Sequence, residues 1–200
     1  MLLKAVILFA HPGTKSFNHA ILQQVTESLH KHGITPILRN LYEQKFSPIF
    51  SPADMQALES EQVPKAIEEE QTILSESDLL IMIYPVWWWS QPAILKGYID
   101  RIFSDGFAFK YEKNGPVGLL TGKQALVFTT TRESQQEMQA SGLDEVVKKQ
   151  VVDGILRFSG FEPVIYHNFA EVPYVQEAIR ETYLQQVGQA IASLKLPVLM

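Results

Sequence analysis

The chain contains no cysteine, so disulfide staples, thiolate nucleophiles and zinc–thiolate sites are all excluded. It has no block of Lys or Arg, and a net charge of -5 gives no uniform attraction for nucleic-acid phosphates or anionic lipid. No nucleic-acid partner is expected. No apolar run approaches the ~20 residues that span a bilayer; the longest, Leu79 to Trp89, is too short, so membrane insertion is not expected. The apolar opening from Met1 to Ala10 is interrupted by Lys4 and followed by His11-Pro12-Gly13 instead of a small-residue cleavage pattern. It reads as a strand and not an export signal, and the expected location is the cytoplasm. Neither G-x-G-x-x-G nor G-x-x-x-x-G-K is present, which removes the standard dinucleotide and nucleoside-triphosphate loops. A G-x-S-x-G nucleophile elbow is also missing. The histidines at 19, 30, 32 and 167 lack metal-ligand spacing such as H-E-x-x-H, so no metal is expected.

What is present suits one domain spanning residues 1–200 with a sizeable core, at 46% hydrophobic and 20% charged residues. Strand-like runs at Lys4–Ala10, Thr35–Leu41, Leu79–Tyr84, Ala125–Thr130 and Pro163–His167 alternate with helix-like segments at Asn18–Lys31, Gln91–Phe103, Val146–Phe158 and Gln176–Leu194. That alternation means right-handed crossovers and a parallel sheet. In the best-marked helix, Pro92 occupies the first turn, Gly106 lies past the end, and Lys96 and Asp100 face outward from an apolar stripe. Tyr42 to Pro64 reads as a surface excursion with a short helix near Asp54–Leu58, Glu68-Glu69-Glu70 as a solvated helix face, and Gly106 to Gly122 as a loop carrying Phe107, Phe109 and Tyr111.

Ligands of open parallel sheets bind beyond the carboxyl ends of the strands, where strand order reverses. After the first strand comes His11-Pro12-Gly13-Thr14-Lys15-Ser16-Phe17-Asn18, a loop opening a helix whose N-terminus favours a phosphate, with Ser16 or Asn18 also suited to plain capping. After the third come Pro85-Val86 and three consecutive tryptophans, Trp87, Trp88 and Trp89. Three adjacent indoles cannot all point inward, so a flat ligand or a partner chain is expected against them. After the fourth come Thr129, Thr130, Thr131, Arg132 and Glu133. A phosphate site, an aromatic wall and a hydroxyl edge at three loop ends suit a flavin nucleotide.

His11-Pro12 with Ser16-Phe17-Asn18, Leu41-Tyr42 with Phe46 and Pro48, Pro85-x-x-Trp88-Trp89-x-x-Pro92-Ala93-Ile94-Leu95-Lys96-Gly97 ahead of Asp100-Arg101-Ile102-Phe103, Gly106-Phe107-Ala108-Phe109, and the stretch from Gly154 to Phe161 together resemble the flavodoxin-like NAD(P)H:quinone oxidoreductases, the DT-diaphorase-like quinone dehydrogenases. The resemblance implies an α/β, flavodoxin-like, three-layer doubly wound sheet of five parallel strands in order 2-1-3-4-5. It also implies FAD or FMN, with NAD(P)H as co-substrate, and a homodimer with sites at its interface. The family's flavin-binding positions fall on His11, Ser16, Phe17, Asn18, Pro85, Val86, Trp88, Trp89, Thr130 and Thr131, and Trp87 joins them as part of the aromatic wall. Its substrate-covering aromatics fall on Phe109 and Tyr111, which together with Trp88 and Trp89 would form the box for the acceptor.

The pattern departs at one place. Relatives follow the two threonines with a glycine pair and then a catalytic Tyr and His, whereas Arg132-Glu133 stands here and no Tyr or His occurs between Thr131 and Tyr166. Arg132 is the cation left to face the flavin's pyrimidine edge, either directly or by holding backbone N–H groups. The expected activity is ping-pong hydride transfer from NAD(P)H through the flavin to a quinone or similar small acceptor. Other readings are an azo- or nitroreductase, a regulatory subunit associated peripherally with a potassium-efflux transporter, and a one-electron carrier, which would not need an aromatic cover.

Overall fold

Residues 3–60 and 62–194 are described by a computed structural model of the chain. The first strand, β1 (Ala5–Phe9), and the third, β3 (Leu79–Pro85), are buried at every position. Both are nearly continuous apolar runs, as expected of strands covered on both faces. They are followed in chain order by α1 (Phe17–Lys31) after β1, then β2 (Ile37–Asn40), α2 (Pro52–Glu59) and α3 (Lys65–Ser75) before β3, and α4 (Ala93–Ile102) after it. A small hairpin, β4 (Phe109–Glu112) with β5 (Gly115–Gly118), precedes β6 (Gln124–Thr130). The chain ends with α5 (Gln135–Ser141), α6 (Leu143–Val151) running into a π-helical turn at Val152–Arg157, β7 (Val164–Phe169) and α7 (Glu177–Ser193). The five sheet strands lie in the order β2-β1-β3-β6-β7, all parallel. Counting only these strands, that is the 2-1-3-4-5 order implied by the resemblance.

Strand periodicity divides the core in two. Val6, Leu8, Leu80, Met82, Tyr84, Ala125 and Val127 face one way, toward α3, α4 and α6, while Ile7, Phe9, Ile81, Ile83, Leu126 and Phe128 face α1 and α7. Register continues across the sheet, with Val6 beside Leu80, Leu80 beside Ala125 and Ala125 beside Val164. The carboxyl ends of β1, β3, β6 and β7 therefore finish near one level, which is where the loops of interest converge.

Three segments differ from the sequence reading. The acidic run is not one solvated face: Glu68 and Glu69 are exposed, but Glu70 is buried, accepting from Arg39 Nε at 3.0 Å, from the Arg39 terminal nitrogen and from Tyr98 Oη at 2.9 Å. Successive helical residues are about 100° apart, so one of three adjacent glutamates turns inward where a partner awaits it. The helix expected over Val146–Phe158 begins at Leu143 and ends in the π-helical turn, and it is separated from α5 by Gly142 in the left-handed conformation (φ 72°). The stretch from Gly106 to Gly122 holds the β4–β5 hairpin, tied down where Leu120 N–H donates to Ser159 O.

The excursion between β2 and α3 does contain the short helix, lengthened to Pro52–Glu59 by a reciprocal cap in which Asp54 N–H donates to Ser51 Oγ and Ser51 N–H to Asp54 Oδ2. Asp54 is then clamped by Arg101 of α4, Nε to Oδ2 and Nη2 to Oδ1, each at 3.1 Å. The same guanidinium donates to Ser47 O at 2.8 Å and lies over the Phe46 ring, 5.4 Å from its centroid. Pro48 is pressed against Gly97, where a Cβ would stand 2.1 Å from the Pro48 carbonyl oxygen. These contacts fix the excursion to the helix that follows the tryptophans.

Candidate functional site

A cleft of about 470 Å³ opens above the carboxyl ends of the strands, next to the reversal of strand order between β1 and β3. From the first loop, His11, Ser16, Phe17 and Asn18 line it; from the second, Pro85, Val86, Trp87 and Trp88; from the third, Thr130, Thr131, Arg132 and Glu133. The floor is held together by two cross-loop contacts. Asn18 Nδ2 donates to Thr130 Oγ1 at 2.9 Å, and Val86 N–H donates to Thr130 O at 2.9 Å.

Each loop is shaped by its own chemistry. Ser16 caps α1, accepting from His19 N–H at 3.2 Å, and leaves Phe17 and Asn18 in the first helical turn, where backbone N–H groups have no intrahelical acceptor and the dipole favours an anion. Gly13 N–H donates to His11 Nδ1 at 2.9 Å. Burial, with a smaller contribution from His19, holds the His11 pKa below its ordinary value against the opposing Gly13 contact, so the ring is neutral at pH 7. The same Nδ1 lies 3.1 Å from Gly13 O, and which of the two Gly13 groups it pairs with sets the tautomer of the ring. On the second loop, Trp87 and Ser90 exchange both backbone hydrogen bonds, 3.0 and 3.1 Å, around a tight turn made by Trp88 (φ 51°) and Trp89 (φ 58°). Two positive φ values in a two-residue turn are the pattern that asparagine and glycine ordinarily fill. Holding indoles there leaves Trp88 96% exposed.

A family model for the flavodoxin-like fold matches residues 3–191. The chain belongs to the flavodoxin-like fold family. It is 32% identical over 185 residues to the "uncharacterized NAD(P)H oxidoreductase" of Haemophilus influenzae, covering 92% of each chain. It is 30% identical over 193 residues to NAD(P)H dehydrogenase [quinone] 1 of Cavia porcellus, covering 85% of this chain and 70% of that one. Among solved structures, the NAD(P)H:quinone oxidoreductase from Methanothermobacter marburgensis superposes with a TM-score of 0.88 at 27% identity, over 98% of this chain and 100% of that chain. These likenesses agree with the resemblance carried by the motifs between His11 and Phe161.

Within this flavodoxin-like frame the cleft gathers His11, Ser16, Phe17, Asn18, Pro85, Val86, Trp87, Trp88, Thr130, Thr131 and Arg132, while Trp89 is half-buried and off its lining. Phe109 and Tyr111 lie on the β4–β5 hairpin, edge to face with each other, and Phe109 packs on Phe158, 5.1 Å between centroids. Neither lines the cleft of its own chain. Arg132 is exposed at the rim, and among the described residues it forms no ion pair with Glu133. Val172 and Pro173, in the loop after β7, complete the lining. They lie past the carboxyl end of the fifth sheet strand, the kind of position at which parallel sheets bind ligands.

The donor set fits a flavin nucleotide. The cleft volume lies in the range of cofactor sites, roughly 300–1,000 Å³. Asn18 Oδ1 is buried and accepts no hydrogen bond from the described residues, an unfilled acceptor that a ribityl hydroxyl would satisfy. The described residues contain no cluster that could hold a metal ion, and no helix among them is long and apolar enough to cross a membrane.

Proposed function

We propose that this protein is a flavin-dependent NAD(P)H oxidoreductase that passes a hydride to a quinone or a similar small acceptor, and that it works as a homodimer. The observation that carries this reading is the convergence, in one cleft, of an anion-favouring helix start with an unsatisfied Asn18 acceptor, an exposed indole wall and the hydroxyls of Thr130 and Thr131. Phe17 and Asn18 N–H groups hold a phosphate, with neutral His11 beside it. Trp87 and Trp88 give the ring a flat wall, and Thr130 and Thr131 face its polar edge. When bound, the flavin supplies the hydride acceptor and donor, while the protein orients it and sets the charge around it. Arg132 places positive charge beside the polar edge, where preorganised electrostatics contribute most to such chemistry. One open ring face serving both substrates in turn gives ping-pong kinetics.

Support for the dimer comes from the hairpin. Tyr111 is 71% exposed and Trp88 almost wholly so, and a second copy placing Phe109 and Tyr111 over the cleft would cover both. The experiment is purification followed by absorbance and sedimentation. A yellow protein that releases FMN or FAD on heating and sediments as a dimer is expected. Failure to bind either flavin at micromolar concentration would overturn the enzymatic reading, and a monomer at assay concentration the shared site.

A further inference from the structure

Beneath the cleft, side chains on one face of β6 and β7 form an unbroken hydrogen-bonded row. Tyr166 Oη lies 2.8 Å from Thr129 Oγ1, Thr129 Oγ1 lies 2.9 Å from Asn168 Oδ1, and Asn168 Nδ2 lies 3.1 Å from Thr131 Oγ1, on the cleft lining. Sheet register explains the alignment: Thr129 stands beside Asn168 and Val127 beside Tyr166, two residues back on both strands.

The row has a direction. Asn168 Nδ2 also sits 3.9 Å from Met138 Sδ, and a thioether can only accept, so the amide nitrogen faces Met138 and Thr131 while Oδ1 faces Thr129. Thr129 therefore gives its one hydroxyl proton to Oδ1; the competing acceptor, His167 O, is farther away at 3.4 Å. Tyr166 must then donate to Thr129. Burial, with a smaller push from Asp144, outweighs the Thr129 contact and raises this phenol to about 12, so it stays a donor throughout the working range. At the other end Thr131 Oγ1 accepts a hydrogen bond from Asn168 Nδ2, which leaves its own O–H to donate elsewhere. Among the described residues its one acceptor, Glu133 O, is 3.4 Å away, a poor match for an O–H donor.

We propose that Asn168 is a positioning residue which, backed by Thr129 and Tyr166, fixes Thr131 as a hydrogen-bond donor toward a carbonyl or imine acceptor on the bound flavin's ring edge. The inference rests on the flavin reading above. Donors arranged head to tail polarise one another, so the Thr131 O–H is both oriented and strengthened by groups that never touch the ligand. Such a donor favours the redox form with more negative charge at that edge and raises the midpoint potential of the bound cofactor.

The test measures that potential, together with flavin affinity and thermal stability, in Asn168→Ala, Tyr166→Phe, Thr131→Val and the Asn168→Ala/Thr131→Val double variant. Asn168→Ala is expected to lower the preference for reduced over oxidised flavin about tenfold, equivalent to about 30 mV for a two-electron couple. Thr131→Val should do the same, the double variant should fall no further than Thr131→Val alone, and Tyr166→Phe should shift several-fold in the same direction. Tyr166→Phe removes one hydroxyl without altering shape, so it decides the matter even if Asn168→Ala does not fold. An unchanged potential in Tyr166→Phe and Asn168→Ala, or additive shifts in the double variant, would overturn the positioning role while leaving the flavin reading intact. A wild-type protein that binds no flavin would overturn both.

Discussion

Replacing Trp88 by asparagine should make the flavin-free fold more stable and the flavin complex weaker. Trp88 sits at φ 51° in the two-residue turn between Trp87 and Ser90. An L-residue in the left-handed region costs roughly 1–2 kcal/mol, whereas asparagine tolerates it through local hydrogen bonding. Because Trp88 is 96% exposed, its removal sacrifices almost no burial within the chain. The fold should gain about 1 kcal/mol, a rise of roughly 2–4 °C in Tm for a domain of this size. The same change removes an aromatic wall, and flavin affinity should fall by about 1–3 kcal/mol. Differential scanning fluorimetry on flavin-free protein at low concentration reads the first effect, and quenching of flavin fluorescence reads the second. Opposite signs are the signature of strain held for function. A flavin-free variant less stable than the parent would mean that Trp88 is packed in solution, and unchanged affinity would mean that the indole does not touch the cofactor.

The ion pair that ties the excursion to α4 should behave as a buried one. Both side chains are largely enclosed, 14% exposed for Arg101 and 8% for Asp54, so Arg101→Ala should cost about 3–5 kcal/mol in urea unfolding by stranding the carboxylate. The Arg101→Met/Asp54→Leu pair should recover most of that loss, short of about 1 kcal/mol for the missing cap; a double variant as unstable as Arg101→Ala would refute this. Burial lowers the pKa values of His11 and His167 below 6.5. The unfolded chain then binds more protons, so stability is full above about pH 6.5 and falls as pH drops through the lowered values. His167→Phe, which keeps the stack on Phe128 at 5.7 Å, should flatten the change in urea midpoint between pH 7.5 and 5.5, and an unaltered slope would exclude His167 as its source.

The central strands were legible because burial on both faces writes unbroken apolar runs such as Val6-Ile7-Leu8-Phe9 and Leu79 to Tyr84. The three loop ends followed from the parallel-sheet rule without any side-chain geometry. What escaped depends on contacts between distant segments. Glu70 looks like its neighbours until Arg39 and Tyr98 arrive from β2 and α4. The hairpin strands Phe109–Glu112 and Gly115–Gly118 are short and mostly exposed, so they carry no alternation to detect. The turn at Trp88 and Trp89 runs against the propensities of its residues, and local rules fail at such positions when function holds them. Tyr166 reads as an ordinary strand residue and Asn168 falls just past the expected strand end at His167, and only the register beside Val127 and Thr129 reveals the row they form.

The most direct test of the central claim is an anaerobic titration of the purified, flavin-loaded protein with NADPH or NADH, followed by a quinone. The account predicts that the flavin absorbance bleaches with one equivalent of nicotinamide per site and returns on adding one equivalent of quinone, with no ternary complex required. A flavin that stays oxidised with both nicotinamides, or that is reduced but not reoxidised by any quinone, would contradict it.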